Sequence, residues 1–304
     1  MTLEPSELFP EVPNLYEFPS VHADMIFDPQ RVGKYWDAIS KIVRPGDLVA
    51  DIGTGTGILA FLALRAGARH VHAIERSPAI NWARRVATGE GLDTKITFHA
   101  ADSRDVTLPP VDVIVSELIG HIAFEEGMVE SLFDARRRFL APGGHIVPRR
   151  VALKATLVHE REIYPSYIDC WQERPYGIDY SPLRDEALKA CYLTTFSDRD
   201  MLCESQTFFE VDFQGNEPTL LEGQRSFEAS RAGNVNGVAF WFEAELAPAV
   251  VLSSGPWSQT HWKQCFAPIP EPREVRTGDS LVIDLRMQLR RCRSDQFLLE
   301  LRVR

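Results

Sequence analysis

The chain has 304 residues, 44% hydrophobic and 25% charged, which excludes extensive disorder and fits one large domain or two ordinary ones. With 33 basic against 43 acidic residues its net charge is −10, which argues against binding to a nucleic-acid backbone and suits a cationic substrate. No apolar run approaches the roughly 20 residues that span a bilayer, and the opening MTLEPSELFPEVP lacks the basic and apolar regions of a secretory signal.

Residues 1–30 hold six carboxylates (Glu4, Glu7, Glu11, Glu17, Asp24, Asp28) and no Lys or Arg. Pro5, Pro10, Pro13 and Pro19 in the same stretch are expected to break any helix there. Periodicity then predicts helices over 29–42, 57–66, 78–87 and 126–139, alternating with strands over 48–51, 71–74, 96–98, 111–115 and 145–147. That alternation implies a doubly wound parallel sheet. Beyond Pro148 the texture changes. Runs at 151–158, 207–213, 225–229, 238–246, 261–267, 281–289 and 296–303 read as antiparallel strands of a sandwich or barrel. The Tyr- and Pro-rich stretch 164–198, with a short helical piece at 182–190, fits neither pattern and reads as a projecting arm. The five cysteines (Cys170, Cys191, Cys203, Cys265, Cys292) are widely spaced, with no CxxC. They indicate neither a disulfide framework nor a metal site, and a reduced, cytoplasmic setting.

Between the first strand and its helix stands Asp51-Ile-Gly53-Thr-Gly55-Thr-Gly57. Glycines at such a turn let the backbone bend sharply and a ligand approach without a Cβ in the way. The third glycine of a dinucleotide fingerprint would fall at Ile58, and the Lys-Ser/Thr of a phosphate loop is missing. The remaining reading is a nucleoside-type cofactor without pyrophosphate, S-adenosylmethionine, leaving as S-adenosylhomocysteine. Glu75, ending the second strand, is placed to accept hydrogen bonds from both ribose hydroxyls, and Asp102, past the third, to meet the adenine amino group.

The loop after the fourth strand, Ser116-Glu117-Leu-Ile-Gly120, carries a second glutamate, Glu126, nine residues beyond Glu117. In the second half stands Thr260-His261-Trp262-Lys263-Gln264. Together these resemble the double-glutamate and T-H-W loops of the protein arginine methyltransferases, over roughly residues 16–304. The resemblance implies a Rossmann-like cofactor domain (1–148) followed by a β-barrel substrate domain (149–304), with residues 164–198 as a dimerisation arm and a homodimer as the assembly. It implies that Glu117 and Glu126 clamp the substrate guanidinium, that Arg31 pairs with the cofactor carboxylate, and that Asp28 pairs with His261. Met25 and Met128 would flank the transferred methyl, as in members that dimethylate asymmetrically. Tyr16 matches the last Tyr of the family's N-terminal aromatic motif, and His22 falls within the pattern. The chain departs from the family at Val12-Pro13, in place of the leading aromatics, and at His121, where an aromatic residue is common.

The chemistry fits these residue types. A guanidinium has no free lone pair at neutral pH and is a poor nucleophile. Two carboxylates forking its N–H groups hold one nitrogen in line with a sulfonium methyl and draw positive charge onto the others. One carboxylate, or the His261–Asp28 pair, would take the released proton. Two buried carboxylates repel each other until a cation lies between them, which favours a guanidinium over an anion. Three functions follow: methylation of arginine in a protein or peptide, the same chemistry on free arginine or a small guanidino metabolite, and a methyltransferase-like binding protein with little turnover.

Overall fold

Short runs of Val, Ile and Ala in the first half form a five-stranded sheet in the computed structural model, which describes residues 18–289 and 299–304. The strands are β1 (Leu48–Ile52), β2 (His70–Ile74), β3 (Ile96–His99), β4 (Val111–Ser116) and β5 (Leu140–Val147), all parallel, in the order β3-β2-β1-β4-β5. The order reverses between β1 and β4, so the crevice beyond their C-terminal ends is where such sheets take ligands. Two hydrogen bonds fix that edge. Ser116 Oγ donates to the Ile52 carbonyl at 2.8 Å, and the fully buried Tyr35 hydroxyl donates to the Ser116 carbonyl at 2.9 Å. The next residue is Glu117.

The N-terminal helices correct one expectation. Pro19 does not break a helix but opens one, α1 (Pro19–Ile26), because the first helical position needs no N–H and favours proline's fixed φ. After it, α2 (Pro29–Ile42) has the predicted bounds and is capped by Asp28, whose carboxylate accepts the N–H groups of Gln30 and Arg31, each at 2.9 Å. The remaining helices of this half are α3 (Ile58–Ala66), α4 (Ile80–Gly89) and α5 (Met128–Phe139).

After β5 the chain is antiparallel, and its strands are β6 (Arg150–Val158), β7 (Tyr192–Thr194), β8 (Gln206–Asp212), β9 (Leu220–Glu228), β10 (Gly233–Ala247), β11 (Val250–Ser253), β12 (Gln264–Val275), β13 (Ser280–Gln288) and β14 (Leu299–Val303). One sheet has the order β7-β12-β10-β6-β8, with β11 also on β10, and the other is β14-β13-β9. The predicted strand at 261–267 begins only at Gln264, so His261 stands on a loop. β7 and β11 were not among the expected strands. The arm stretch is a series of short turns with one brief helix, α6 (Arg184–Ala187). Its root is fastened by the buried Tyr164, Ile168 and Phe196 packed with Trp241 and Phe266, while Tyr167, Tyr176, Ile178 and Leu183 are exposed.

The chain separates into two compact units. The first runs to Glu117 and includes Asp134–Val147, and the second is Leu118–Phe133 with Pro148–Arg304. The loop after Glu117 therefore groups with the antiparallel half rather than with the sheet it follows. Among the described residues no helix is long and apolar enough to cross a membrane, and no cluster of three or more His, Cys, Asp or Glu forms a metal site. Tyr16, Cys292 and the predicted strand start at 296 lie outside the described residues.

Candidate active site

In the first unit, Arg31 and Glu117 form the central pair. Arg31 Nε and Nη2 both donate to Glu117 Oε2, at 2.9 and 2.6 Å, and Nη1 donates to the Met25 carbonyl at 2.9 Å. Both side chains are nearly buried, at 7% and 6% exposure. Three of the five N–H groups of Arg31 hold Glu117 and the end of α1, and one on each terminal nitrogen remains for a ligand such as the expected cofactor carboxylate. Asp28, the cap of α2, sets where Arg31 starts from.

The glycine turn is built for close approach. Gly53, Gly55 and Gly57 have φ of 74°, 53° and 91°, a region L side chains avoid. A Cβ at Gly57 would lie 2.8 Å from Phe61 Cζ, and one at Gly55 would lie 3.4 Å from His22 Cε1. His22 is buried and stands edge-on to Trp82, with ring centroids 5.4 Å apart. Glu75 takes the Gly55 N–H on Oε2 at 3.1 Å and the Ser77 N–H on Oε1 at 2.7 Å, so it braces the turn. Asp51 is fully buried. Its Oδ2 accepts from Thr54 Oγ1 at 2.6 Å, and its Oδ1 has no partner among the described residues. Burial pushes its carboxyl up to about 7, against the lowering effect of the Thr54 bond. Asp102 caps a single turn at Ser103–Asp105 and is gripped by Arg104, at 2.8 Å from Nε and 2.7 Å from Nη2. That guanidinium holds its carboxyl down at about 2.

In the second unit, two loops are joined. Trp262 is buried, and its Nε1 donates to the Ile119 carbonyl at 3.0 Å, while His121 Nδ1 lies 3.4 Å from the Lys263 carbonyl. Trp262 is edge-on to Phe242 at 4.9 Å, and the His261 ring lies 3.9 Å from the Trp262 ring. The T-H-W loop thus holds the loop that carries Glu126, which is followed by Gly127 at φ 79° and by the fully buried Met128 at the start of α5.

A sequence profile described as the arginine methyltransferase oligomerization subdomain matches residues 150–304, slightly more than half of the chain. One described as a methyltransferase domain matches residues 49–144. Protein arginine N-methyltransferase 1 of Saccharomyces cerevisiae is 30% identical over 280 residues, covering 88% of this chain and 80% of that protein. Protein arginine N-methyltransferase 6 of Xenopus laevis is 31% identical over 298 residues, covering 93% and 87%. The chain belongs to the protein arginine N-methyltransferase family. Among solved structures, protein arginine methyltransferase 10 of Arabidopsis thaliana matches with a TM-score of 0.82 at 25% identity, covering 95% of this chain and 93% of that one. The Trypanosoma brucei enzyme–prozyme complex with AdoHcy matches with a TM-score of 0.89 at 22% identity, covering 95% and 94%, a likeness of fold.

As a member of this family, the protein is an S-adenosylmethionine-dependent methyltransferase. The first unit fits that cofactor: the three positive-φ glycines clear a path at the turn, the orphaned Asp51 oxygen lies just before it, and Glu75 stands at the end of the neighbouring strand.

One residue escaped the sequence reading. Glu125 reads as a helix-first-turn acid beside Glu126, yet its carboxylate turns back under its own loop and accepts the Ile122 N–H at 3.0 and 3.2 Å. Burial raises its pKa. A Cβ at Gly120 would overlap that carboxyl group, so the glycine of S-E-x-x-G makes room for the brace. Gly120 was the available signal, five residues before an acid.

Asp51 yields a pH prediction. The native state keeps the Asp51 proton to about pH 7, whereas the unfolded chain releases it near pH 4. The unfolded state therefore binds fewer protons between those values, and the Asp51 contribution to stability falls as pH rises through that window. In urea unfolding of the full chain, Asp51→Asn should be favoured relative to wild type more at pH 8 than at pH 5, by at least about 1.4 kcal/mol, the worth of one pKa unit. An equal difference at both pH values would contradict the assigned protonation.

Proposed function

We propose that this chain transfers the methyl group of S-adenosylmethionine to a terminal guanidino nitrogen of arginine in a protein or peptide, with Glu117 and Glu126 as the clamp. The bound cofactor supplies an electrophilic sulfonium methyl. The observation that carries the reading is the bracing of each glutamate-bearing segment: Glu117 is fixed by the Arg31 fork, and the Glu126 loop by Glu125 and Trp262. Carboxylates held in place can take the N–H groups of a substrate guanidinium, keep one nitrogen aligned and localise charge on the others, so that the aligned nitrogen gains lone-pair character as its bond to carbon forms. The proton released goes to one of these carboxylates or to His261 backed by Asp28.

In the same reading Gly53, Gly55 and Gly57 pass the cofactor backbone, Asp51 and Glu75 receive its polar groups, and the two spare N–H groups of Arg31 take its carboxylate. Asp102 meets the adenine while Arg104 holds both of its oxygens in place. Met25 and Met128 line the methyl position and favour asymmetric dimethylation, and Tyr16 and Trp262 help hold the substrate. The sheet-bearing unit is then the cofactor domain and the antiparallel unit the substrate domain. The exposed aromatic arm serves a homodimer, and the setting is cytoplasmic.

Glu126→Gln should lower methyl transfer at least about 100-fold, the scale seen when a group that stabilises a transition state is removed. The cofactor Kd of this variant should stay within about threefold. Glu117→Gln should weaken cofactor binding as well, because it releases Arg31. Incubation with labelled cofactor and either an Arg-Gly-rich peptide or free arginine reads out both rate and substrate. Label in the peptide supports the proposal; near-normal turnover by Glu126→Gln, or label in free arginine alone, contradicts it. Light scattering at micromolar concentration should give twice the mass of one chain, and a single-chain mass would refute the homodimer.

A further inference from the structure

The edge of the parallel sheet carries three histidines that the proposed reaction does not use. His70 and His72 alternate along β2 with the buried Val71 and Ala73, so both project from the opposite face of the sheet. The register sets Thr97 beside His72 and His99 beside Ile74, which places Thr97 and His99 of β3 on that same face. β3 is the outermost strand, and its crossover to β4 forms one short turn, Ser103–Asp105. The three imidazoles are accordingly half-buried, and Thr97 is exposed.

Within this group His72 and His99 are directed at each other. His72 Nδ1 lies 3.2 Å from His99 Nε2, with ring centroids 5.5 Å apart and planes inclined by 39°. His70 is engaged elsewhere: its Nε2 meets Thr97 Oγ1 at 2.8 Å, and its ring stands edge-on to His72 at 5.2 Å. Zinc–imidazole bonds are roughly 2.0–2.1 Å long, so two nitrogens at the His72–His99 separation subtend about 100° at a shared ion, close to the tetrahedral angle. Neutral imidazole is the form that binds metal. Burial and the neighbouring rings hold His72 down to about 4, and burial holds His99 below its ordinary value. A change of tautomer then moves each ring proton to the outer nitrogen and turns both lone pairs inward, with no proton lost.

We propose that His72 and His99 chelate one zinc ion across β2 and β3, with water completing the coordination. The site has two protein ligands, one from each strand, so it is an open clamp rather than a closed structural centre. Imidazole nitrogens select zinc over magnesium and calcium, which take oxygen ligands. The ion ties the edge strand to its neighbour next to the point where the Glu75 N–H donates to the His99 carbonyl at 3.1 Å. Its binding does not depend on methyl transfer and is read without turnover, so failure of this site leaves the proposed function untouched.

The test is calorimetric titration of zinc chloride into the full chain at pH 7, for wild type, His72→Ala, His99→Ala and His70→Ala. Zinc affinity should fall at least about tenfold in His72→Ala and in His99→Ala, the least that losing even a supporting partner of a metal ligand costs, and stay within about threefold in His70→Ala. Thiols also take zinc, but all four chains share them, and an ion held by unfolded thiols lowers the thermal midpoint whereas one held by the native pair raises it. Zinc should therefore raise the midpoint of wild type and of His70→Ala only. Long-range proton–nitrogen NMR of the wild-type chain needs no variant to fold, and zinc should shift His72 Nδ1 and His99 Nε2 while sparing the His70 nitrogens. Equal zinc affinity in wild type and His99→Ala would overturn the proposal. So would a loss in His70→Ala as large as in His99→Ala, magnesium binding as tight as zinc, or unshifted His72 and His99 nitrogens.

Discussion

The buried ion pair between Arg31 and Glu117 is the constraint on which the first unit's site depends. Two charges withdrawn from water are costly unless each is matched by a close partner and further hydrogen bonds. Here the match is made on both sides. Glu117 Oε2 receives two N–H groups from one guanidinium, and the remaining arm of Arg31 holds the Met25 carbonyl. The bonds that position these two residues come from a helix cap and from the ends of two strands. Asp28 starts α2 three residues before Arg31, and the Tyr35 and Ser116 hydroxyls tie down the strand ends next to Glu117. Removing one partner would leave the other buried and uncompensated, so the pair acts as a unit.

The second unit solves a related problem without a salt bridge. Glu125 is half-buried under its own loop, with backbone N–H donors in place of a cation and a raised pKa. Its neighbour Glu126 therefore sits on a loop whose shape is set before any substrate arrives. The Trp262 bond to Ile119 ties the T-H-W loop to the same segment. Preorganisation of this kind is what an alignment mechanism needs, because little barrier is removed if the carboxylates must first be ordered.

Much of this was legible in the sequence because the parallel sheet, the glycine turn and the acids at strand ends are local patterns with one physical reading. The bounds of α2 followed from its periodicity, and the Asp28 cap is what fixes its start. What escaped depends on three-dimensional partners. Pro19 as a helix opener could not be told from Pro19 as a helix breaker without knowing which side of it is helical. The Arg31 fork on Glu117, the Arg104 grip on Asp102 and the fold-back of Glu125 each join a charged group to a partner that periodicity does not encode. The start of β12 at Gln264 rather than His261 reflects the Trp262 and Gln264 side-chain bonds, which hold Thr260–Lys263 as a loop although the residue types suit a strand.

The central claim is that Arg31 and Glu117 work as one device, serving cofactor binding and substrate alignment together. A double-mutant cycle tests it most directly, with cofactor Kd measured by calorimetry for wild type, Arg31→Met, Glu117→Gln and the double variant. The account predicts strong coupling, with the double variant better than the sum of the single losses by more than about 1 kcal/mol. Losses that add to within about 0.3–0.5 kcal/mol would mean that the two residues act independently, and would contradict it.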